Sequence, residues 1–453
     1  AQVTLSSISF VCAMVGLQSR GARPKVLVLG AGAQGLACAL RLWERGWDVV
    51  VVARDWLTHT TSTGAGAIWE YPPFQVEPKG KAKKWVLASL PCFRAAAAVG
   101  ADVSGVRLRR SWYLFRDRQR AEKTYGPFAE WSKEVHDYQE GLPDKGLLRD
   151  DHSFTFAFSY LAPIMNMRRY LTWLTHLIGG LEGVRFAHDA LNTLECVQEA
   201  AIRYGADAIV NCLGLGSKAV FKDSNMFAVR GDIVYVLAPG AEERFGFAHI
   251  TDEDDPTGEL TYVVPQGDGI VGVAGTAIEL DESGLDAESY RPLAESKAGS
   301  TAEDEELRRR IVSRALAAMP GAVLQPSVAE AAAVGKQPAP EPVVVGTWCG
   351  ARPQRRGGVR LEYEELTVKD SCLRIVHNYG HGGSGVVTSW GCAEQVVMLA
   401  DQALSSAAGP HDGSSSPGLQ GRSLPAAVAG LALGQVQTSS SSTQARYDLA
   451  SKL

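Results

Sequence analysis

Apolar and polar residues alternate along the chain in patterns that predict short buried strands and amphipathic helices. The first apolar run, Lys25–Leu29, has the length of a buried strand, and residues 36–45 carry apolar side chains at helical spacing. A second apolar run, Asp48–Ala53, follows directly. Strand, helix and strand in this order predict a βαβ unit, in which both strands lie parallel in one sheet.

The same patterns predict the elements of the rest of the chain. The predicted helices are 85–99, 167–177, 303–319 and 386–404, and the predicted strands are 107–116, 208–214, 232–237, 260–264, 270–275 and 373–376. The second of these strands ends in glycine, as expected of a parallel strand that returns to the first sheet. The next three strands suggest an antiparallel sheet. We therefore predict an α/β fold, a Rossmann-like dinucleotide-binding domain with an inserted α+β domain that carries an antiparallel sheet.

A dinucleotide-binding fingerprint, Gly30-Ala31-Gly32-Ala33-Gln34-Gly35, stands between the first strand and the first helix. In this motif Gly30 makes the tight turn, Gly32 admits the pyrophosphate, and Gly35 lets the helix pack on the strand. The motif is weak by itself, but the order of strand, motif, helix and strand makes it specific. It does not distinguish a nicotinamide dinucleotide from a flavin dinucleotide.

The second strand departs from the common pattern at its end. A carboxylate usually follows this strand directly, and here the sequence is Ala53-Arg54-Asp55. Either Asp55 reaches the ribose hydroxyls, or Arg54 contributes as well.

A run of hydroxyl and small residues follows, from Thr60, Thr61 and Ser62 to Gly66 and Ala67. Such a run is either an ordinary loop or a cofactor loop that donates hydroxyl and backbone hydrogen bonds to a phosphate or a polar ring. The composition of the run is compatible with both.

The densest glycine cluster lies late in the chain, in His377-Asn378-Tyr379-Gly380-His381-Gly382-Gly383-Ser384-Gly385. A predicted strand precedes it and a predicted helix follows it, which argues against a simple mobile turn. Residues without a Cβ let the backbone approach a ligand closely, and a helix N-terminus presents free N–H groups. We predict a ligand-binding loop here.

Length, charge and cysteine content limit the kinds of protein that this chain can be. A chain of 453 residues is long enough for two domains. With 45 Lys and Arg against 50 Asp and Glu, the net charge of -5 provides no field that would attract nucleic acid or an anionic membrane. The eight cysteines form no C-x-x-C pair and no metal-ligand cluster, so we expect thiols in a reducing compartment and no metal.

The two ends of the chain are predicted to lie outside the fold. Residues 1–24 form an N-terminal extension, and residues 405–453 read as a flexible tail with two serine runs. The tail ends in Ser451-Lys452-Leu453, the tripeptide that a peroxisomal import receptor recognises. We expect a peroxisomal protein with this receptor as a partner. No apolar run reaches the length of a transmembrane helix.

Taken together, the motifs resemble the D-amino-acid oxidases, the FAD enzymes related to the D-aspartate oxidases. The resemblance covers about residues 25–404. It is carried by Val28-Leu29-Gly30-Ala31-Gly32, Ala67-Ile68-Trp69, Tyr170-Leu171-Thr172-Trp173-Leu174-Thr175, Asn211-Cys212-Leu213-Gly214, Arg230-Gly231, Leu260-Thr261-Tyr262-Val263-Val264-Pro265, and residues 350–353 and 377–383.

The resemblance implies FAD held in an extended pose, with the flavin ring against the late glycine loop. The residues that it assigns to FAD are Gly30, Ala31, Gly32, Gly35, Arg54, Asp55, Thr60, Thr61, Ser62, Gly66, Ala67, Ala190, Gly382, Gly383, Ser384, Gly385, Val386 and Val387. It also implies that the FAD-binding domain is formed by about 25–80, 160–225 and 350–404, and the substrate domain by about 85–155 and 228–349.

For the substrate, the resemblance implies that Arg352 binds the carboxylate, Tyr262 adds a hydroxyl, and the Gly383 carbonyl accepts from the amine. A planar guanidinium is the bidentate partner of a carboxylate. No protein base is required if the amine enters neutral, so the sequence assigns no catalytic side chain. The implied reaction begins with hydride transfer from Cα to flavin N5. The reduced flavin would pass its electrons to O2, which gives hydrogen peroxide, and water would hydrolyse the imino acid to a 2-oxo acid and ammonia.

The chain departs from the family pattern at several positions. Gly258 stands where vertebrate members carry a lid tyrosine, and Glu70 stands where glutamine is common. The loop around 331–342 is longer than in most relatives. Ala277 replaces the arginine expected of a D-aspartate oxidase, which favours neutral D-amino acids. A D-aspartate oxidase, a non-catalytic dinucleotide-binding protein and a nicotinamide dehydrogenase remain alternatives, and the oligomeric state is open, with a homodimer as one candidate.

Overall fold

The computed structural model describes residues 23–73, 76–143, 146–150, 152–250, 260–286, 291–292, 301–324, 341–369 and 371–407. The predictions for the N-terminal extension up to residue 22, for Gly258, for the loop up to residue 340 and for Ser451-Lys452-Leu453 lie outside the described residues.

Strands make up two large sheets and one short pair. They are β1 (Lys25–Leu29), β2 (Asp48–Ala53), β3 (Val106–Phe115), β4 (His136–Glu140), β5 (Phe156–Met165), β6 (Val184–His188), β7 (Ala208–Asn211), β8 (Met226–Leu237), β9 (Phe247–Ile250), β10 (Thr261–Gly267), β11 (Ile270–Ala274), β12 (Ile278–Leu280), β13 (Leu285–Asp286), β14 (Arg291–Pro292), β15 (Val343–Arg355), β16 (Arg360–Val368) and β17 (Ser371–Tyr379).

The α-helices of the described residues pack on both faces of each large sheet. They are α1 (Ala33–Arg45), α2 (Lys79–Val99), α3 (Ala101–Ser104), α4 (Arg118–Tyr125), α5 (Phe128–Trp131), α6 (Met167–Gly179), α7 (Leu194–Tyr204), α8 (Gly216–Val220), α9 (Ala241–Arg244), α10 (Ala302–Ala318), α11 (Pro320–Val323) and α12 (Ser389–Ala407). No helix of this part of the chain is long and apolar enough to cross a membrane.

The first sheet has the strand order β16-β17-β7-β1-β2-β6. All its neighbours are parallel except β16, which runs antiparallel to β17. Strand β1 shows why its sequence is apolar throughout. Val26 and Val28 pack in the core that contains α1 and α12, whereas Leu27 and Leu29 pack in the core that contains α7. A parallel strand buried on both faces requires this continuous apolar run.

The second sheet has the order β12-β8-β11-β10-β9-β3-β5-β4, with β15 also paired to β8. Its pairs are antiparallel except for β3 with β9. The predicted α/β fold with an inserted antiparallel sheet is therefore confirmed. The long pairing of β8 with β15 places Arg352 opposite Val229.

Several predicted boundaries were wrong, and nine of the described strands were not predicted. Helix α1 begins at Ala33 and α2 at Lys79, both earlier than predicted, while α12 begins only at Ser389. The strands that were not predicted are β4, β5, β6, β9, β12, β13, β14, β15 and β16. Strand β15 contains glycines and a proline, and its long pairing with β8 overrides their low strand propensity.

The division of the chain between the two domains stays a prediction. Strands β5 and β15 lie in the second sheet and run across the predicted bounds at 160 and 350. Helix α2, assigned to the substrate domain from residue 85, packs in the same core as α12. One large core therefore joins both sheets.

Candidate active site

The turn after β1 depends on a glycine at position 30. Gly30 has a φ of +101°, a region that side chains with a Cβ rarely adopt. Its N–H donates to the Val52 carbonyl over 2.8 Å. A Cβ at this position would lie 2.5 Å from the carbonyl oxygen of Cys212, so the turn has no room for a side chain.

The other fingerprint glycines set the start of α1. A Cβ at Gly35 would lie 1.9 Å from the Gly30 carbonyl oxygen, which explains the close contact of helix and strand. Gly35 does not line the cavity described below. Gly32 is the N-cap of α1, and the Ala33 N–H donates to the Ser62 hydroxyl over 3.1 Å. The N-terminus of a 13-residue helix and a hydroxyl loop thus meet at one place.

At the end of β2, Arg54 and Asp55 form an ion pair with an N–O distance of 2.8 Å. Both side chains line the cavity. The two alternatives for the ribose contact are therefore still open. The predicted loop residues that line the same cavity are Thr60, Thr61, Ser62, Gly66 and Ala67.

Ala190 is the one predicted cofactor residue besides Gly35 that does not line the cavity. It is exposed, and its neighbours Asp189, Leu191 and Asn192 are lining residues instead. Sequence reasoning missed these neighbours because the connection between β6 and α7 carries no motif.

The late glycine loop enters the cavity before α12 begins. Its lining residues are Gly382, Gly383, Ser384, Gly385, Val386 and Val387. Gly382 has a φ of +55°, and a Cβ there would lie 1.5 Å from the Gln354 side-chain oxygen. The backbone therefore passes closer to its neighbours than a residue with a side chain permits.

Two polar side chains fix this loop, and sequence reasoning gave neither a role. Gln34 donates from Nε2 to the Gly385 carbonyl over 2.8 Å and to the Thr388 hydroxyl over 3.2 Å. Asn378 in turn donates from Nδ2 to Gln34 Oε1 over 2.9 Å. The only feature of the sequence that could have indicated this role is the position of the two residues, since Gln34 lies inside the fingerprint and Asn378 inside the glycine-rich run.

Arg352 is anchored by backbone carbonyls. Its Nη1 donates to the carbonyl oxygens of Thr276 over 2.8 Å and of Arg230 over 3.3 Å. The guanidinium lies directly over Gly231, where a Cβ would approach its Cζ to 2.4 Å. Within the described residues Nη2 has no acceptor, and the side chain lines the cavity. One edge of the guanidinium is therefore available to a ligand.

A buried ion-pair network supports the strand next to Arg352. Arg230 donates to Asp232 over 2.8 Å and to Asp304 over 2.6 Å. Although burial alone would raise it, hydrogen bonds from Thr301 and Arg230 hold the pKa of Asp304 below its usual value. Asp304 also closes the capping box of α10 with Thr301, so this helix is tied to β8.

Tyr262 lines the cavity from β10. It lies opposite His249 of β9 in the antiparallel register. A Cβ at Gly66 would lie 2.7 Å from the Tyr262 ring, so Gly66 makes room for this tyrosine. The Tyr262 hydroxyl has no hydrogen-bond partner among the described residues and is free to contact a ligand.

A carboxyl group, Glu70, also lines the cavity. Tyr125 donates its hydroxyl to Glu70 Oε1 over 2.7 Å. Burial raises the pKa of Glu70 to about 7, against the opposing effect of the Tyr125 hydrogen bond. Burial also lowers the pKa of the neighbouring His249 to about 4. At neutral pH His249 is therefore uncharged.

The residues named above as lining residues belong to one continuous cavity of about 1390 Å³. It combines a helix N-terminus, a hydroxyl loop and a glycine loop with little side-chain bulk. Helix N-termini and backbone N–H groups favour phosphate, and the glycines leave space for a flat ring. These residues fit an extended dinucleotide. Among the described residues no cluster of three or more His, Cys, Asp or Glu is arranged to hold a metal ion.

Comparison with known proteins agrees with this geometry. The family model "FAD dependent oxidoreductase" matches residues 25–399. The chain belongs to the FAD dependent oxidoreductase family. Within this family, a D-amino-acid oxidase of Rubrobacter xylanophilus is 33% identical over 86% of this chain and 100% of its own length. A D-amino-acid oxidase of Streptomyces coelicolor is 30% identical over 83% of this chain and 96% of its own. The expected membership of the D-amino-acid oxidase family is confirmed.

Solved structures of FAD dependent oxidoreductases share the fold. The glycine oxidase of Geobacillus kaustophilus superposes with a TM-score of 0.60, covering 84% of this chain and 95% of its own, at 15% identity. This likeness concerns the fold alone. FAD is the cofactor of this family member, and when bound it supplies a two-electron acceptor. The Gly30 turn, the N-terminus of α1, Ser62 and the loop from Gly382 to Val387 are the groups that would hold it.

Proposed function

We propose that the protein oxidises neutral D-amino acids with O2. In this reaction one D-amino acid, O2 and water yield one 2-oxo acid, ammonia and hydrogen peroxide. The supporting observation is the position of Arg352, which lines the FAD cavity with one edge of its guanidinium unpartnered by the described residues. An α-carboxylate is the ligand that such a planar donor binds best.

Stereochemistry would follow from three fixed contacts around the substrate Cα. Arg352 would bind the carboxylate, the Gly383 carbonyl would accept from the amine, and the flavin face would lie opposite Cα–H. The Tyr262 hydroxyl would add a donor to the carboxylate without adding a charge. Only one enantiomer places its side chain in the remaining space while all three contacts are kept. Because the amine binds neutral, the described side chains contribute position rather than proton transfer.

The preference for neutral side chains rests on Ala277. This residue lines the cavity and offers no charge for a second carboxylate. An acidic side chain would be desolvated without a dedicated partner, which costs several kcal/mol. Besides Arg352, the arginines of the described cavity wall are Arg54, which pairs with Asp55, and Arg308 on α10. If D-aspartate is the best substrate, Arg308 is the residue to test as its partner.

A peroxide assay over a panel of D-amino acids, with the L-enantiomers as controls, tests the proposal. We expect turnover of D-alanine, D-methionine and D-phenylalanine and none of their L-forms. Anaerobic addition of D-alanine should bleach the flavin absorbance. A yellow protein that no D-amino acid reduces would overturn the proposal and favour a non-catalytic dinucleotide-binding protein. A colourless protein that reduces NAD would favour a nicotinamide dehydrogenase.

We also propose that the protein works in peroxisomes and that Ser451-Lys452-Leu453 binds the import receptor. The support is the match of this tripeptide to the receptor-read signal. A compartment that disposes of hydrogen peroxide suits an enzyme that produces it.

A further inference from the structure

Glu70 is held rigidly in the cavity wall by the residues before it. The Trp69 N–H donates to the Pro163 carbonyl over 2.8 Å, and the indole N–H of Trp69 donates to the Val86 carbonyl over 2.8 Å. Trp69 is fully buried. The backbone at Glu70 is thereby fixed, so the carboxyl group faces the cavity in a defined place.

The carboxyl group has one satisfied oxygen and one available oxygen. Oε1 accepts the Tyr125 hydroxyl hydrogen bond over 2.7 Å, while Oε2 accepts none from the described residues. No lysine or arginine among those residues forms an ion pair with Glu70. A buried carboxylate without a cationic partner is costly, and it gains most from a cation supplied by a ligand.

This oxygen lies on the substrate side of the cavity. Tyr262 and His249 are directly opposite each other on β10 and β9, which places their Cβ atoms about 4.5–5.5 Å apart. The Tyr125 hydroxyl is 3.5 Å from His249 Nδ1 and 2.7 Å from Glu70 Oε1. Tyr262, to which we assign a contact with the substrate, is therefore connected to Glu70 through the side chains of His249 and Tyr125.

We propose that Glu70 is a specificity-determining residue that binds the terminal ammonium of a D-amino acid with a cationic side chain, such as D-ornithine or D-lysine. The inference rests on the proposed D-amino acid oxidation and extends it from neutral to basic substrates. Glu70 takes no part in binding the α-carboxylate or the α-amine. It would act only on the end of the side chain.

The titratable groups that face Glu70 have pKa values far from that of Glu70, so the titration of Glu70 can be distinguished from theirs. They are Tyr125 on α4, Tyr113 on β3, Tyr160 on β5 and His249 on β9. Burial raises the pKa of all three tyrosines above the usual value, and burial lowers the pKa of His249 to about 4. Between pH 5.5 and 9 only Glu70 of this group changes its charge. The carboxylate form, which attracts a cation, prevails above about 7.

The test compares substrate pairs that differ only by a terminal charge. In D-norleucine a methyl group replaces the ammonium of D-ornithine, and D-2-aminoheptanoate stands in the same relation to D-lysine. The measured quantity is the ratio of kcat/KM for the charged and the neutral member, and the pair with the larger ratio is used. We expect Glu70→Gln to lower this ratio by about tenfold or more, as expected for loss of a buried charge pair. Glu122→Gln, at a more exposed carboxylate paired with Arg118, is the matched control and should leave the ratio unchanged.

A pH series on the unmodified enzyme gives an independent readout if Glu70→Gln fails to bind FAD. The ratio should rise from pH 6 to pH 8 by more than the change that the α-amine pKa values of the free substrates predict. A ratio that is equal in the wild type and Glu70→Gln, or a pH series explained by the α-amines alone, would overturn the assignment. Failure of the proposed function itself is distinct, because then neither D-alanine nor D-norleucine would reduce the flavin.

Discussion

The side-chain amide of Gln34 donates a hydrogen bond to the backbone carbonyl of Gly385 over 2.8 Å. These residues lie 351 positions apart and belong to the two segments assigned to FAD, the fingerprint and the late glycine loop. Gln34 also accepts a hydrogen bond from Asn378. One buried glutamine thus sets the distance between the N-terminus of α1 and the glycine loop.

Replacing Gln34 should therefore weaken FAD binding. In Gln34→Ala the Gly385 carbonyl loses the Gln34 donor, and the Asn378 amide keeps only the weak sulfur acceptors of Cys38 and Cys212. A buried polar group left without its partner costs about 1–3 kcal/mol. We expect a lower thermal midpoint and a higher Kd for FAD. Gln198→Ala is the matched control, because this buried glutamine donates to the Val368 carbonyl over 2.8 Å outside the cavity. An equal FAD affinity in both variants would contradict the assigned role of Gln34.

Arg352→Ala should keep the flavin spectrum and lose activity. Removing one member of a charged hydrogen-bonded pair typically costs about 2–5 kcal/mol, so kcat/KM for D-alanine should fall by about 30-fold to several thousandfold. Arg356→Ala is the control, since Arg356 is exposed and pairs with Glu279. The assignment of Arg352 to the carboxylate is wrong if both variants turn over D-alanine like the wild type.

Gly30→Ala should prevent formation of the FAD-bound protein. The φ of +101° and the 2.5 Å approach of a Cβ to the Cys212 carbonyl oxygen combine a strained backbone with a steric clash. Backbone strain alone costs about 1–3 kcal/mol. Gly80→Ala on α2, where a Cβ meets nothing within 4 Å, should be stable or gain up to about 1 kcal/mol. The two variants are compared by flavin content and thermal unfolding.

Substrate choice should change when a charge is added at position 277. The wild type should prefer D-alanine, D-methionine and D-phenylalanine over D-aspartate, and Ala277→Arg should raise kcat/KM for D-aspartate relative to D-alanine. The reason is that the new guanidinium would compensate the desolvation of the second carboxylate. Ala277→Gln, which adds an uncharged polar side chain, is the control. If the wild type already prefers D-aspartate, the D-aspartate oxidase alternative replaces the neutral one.

Deletion of Ser451-Lys452-Leu453 should leave kcat/KM unchanged and move the protein to the cytosol. The tripeptide acts as a receptor-read address and contributes to no predicted core. Fluorescence microscopy of tagged full-length and truncated chains, with the tag at the N-terminus, provides the measurement. A truncated chain that still enters peroxisomes would place the address elsewhere, for example in residues 1–24.

The local pattern of the sequence was sufficient for the parts of the fold that depend on near neighbours. Strands β1 and β2 and the start of the dinucleotide site could be predicted because the motif, the apolar runs and the helix between them lie within about thirty residues. A glycine turn, a helix N-terminus and buried parallel strands each have a short sequence signature. Arg352, Tyr262 and Gly383 could be named only through the family resemblance.

Tertiary structure decided the contacts between distant segments. Strand β15 forms because β8 pairs with it from Met226 to Leu237. This pairing outweighs the low strand propensity of the glycines and the proline in β15. The role of Gln34 depends on Gly385, and the anchoring of Arg352 depends on two carbonyls that lie 76 and 122 residues away. By itself the sequence determined which groups can donate, accept or carry charge. Only the fold decided which of them meet, because hydrogen bonds and charge pairs act over a few ångströms in space and have no fixed spacing along the chain.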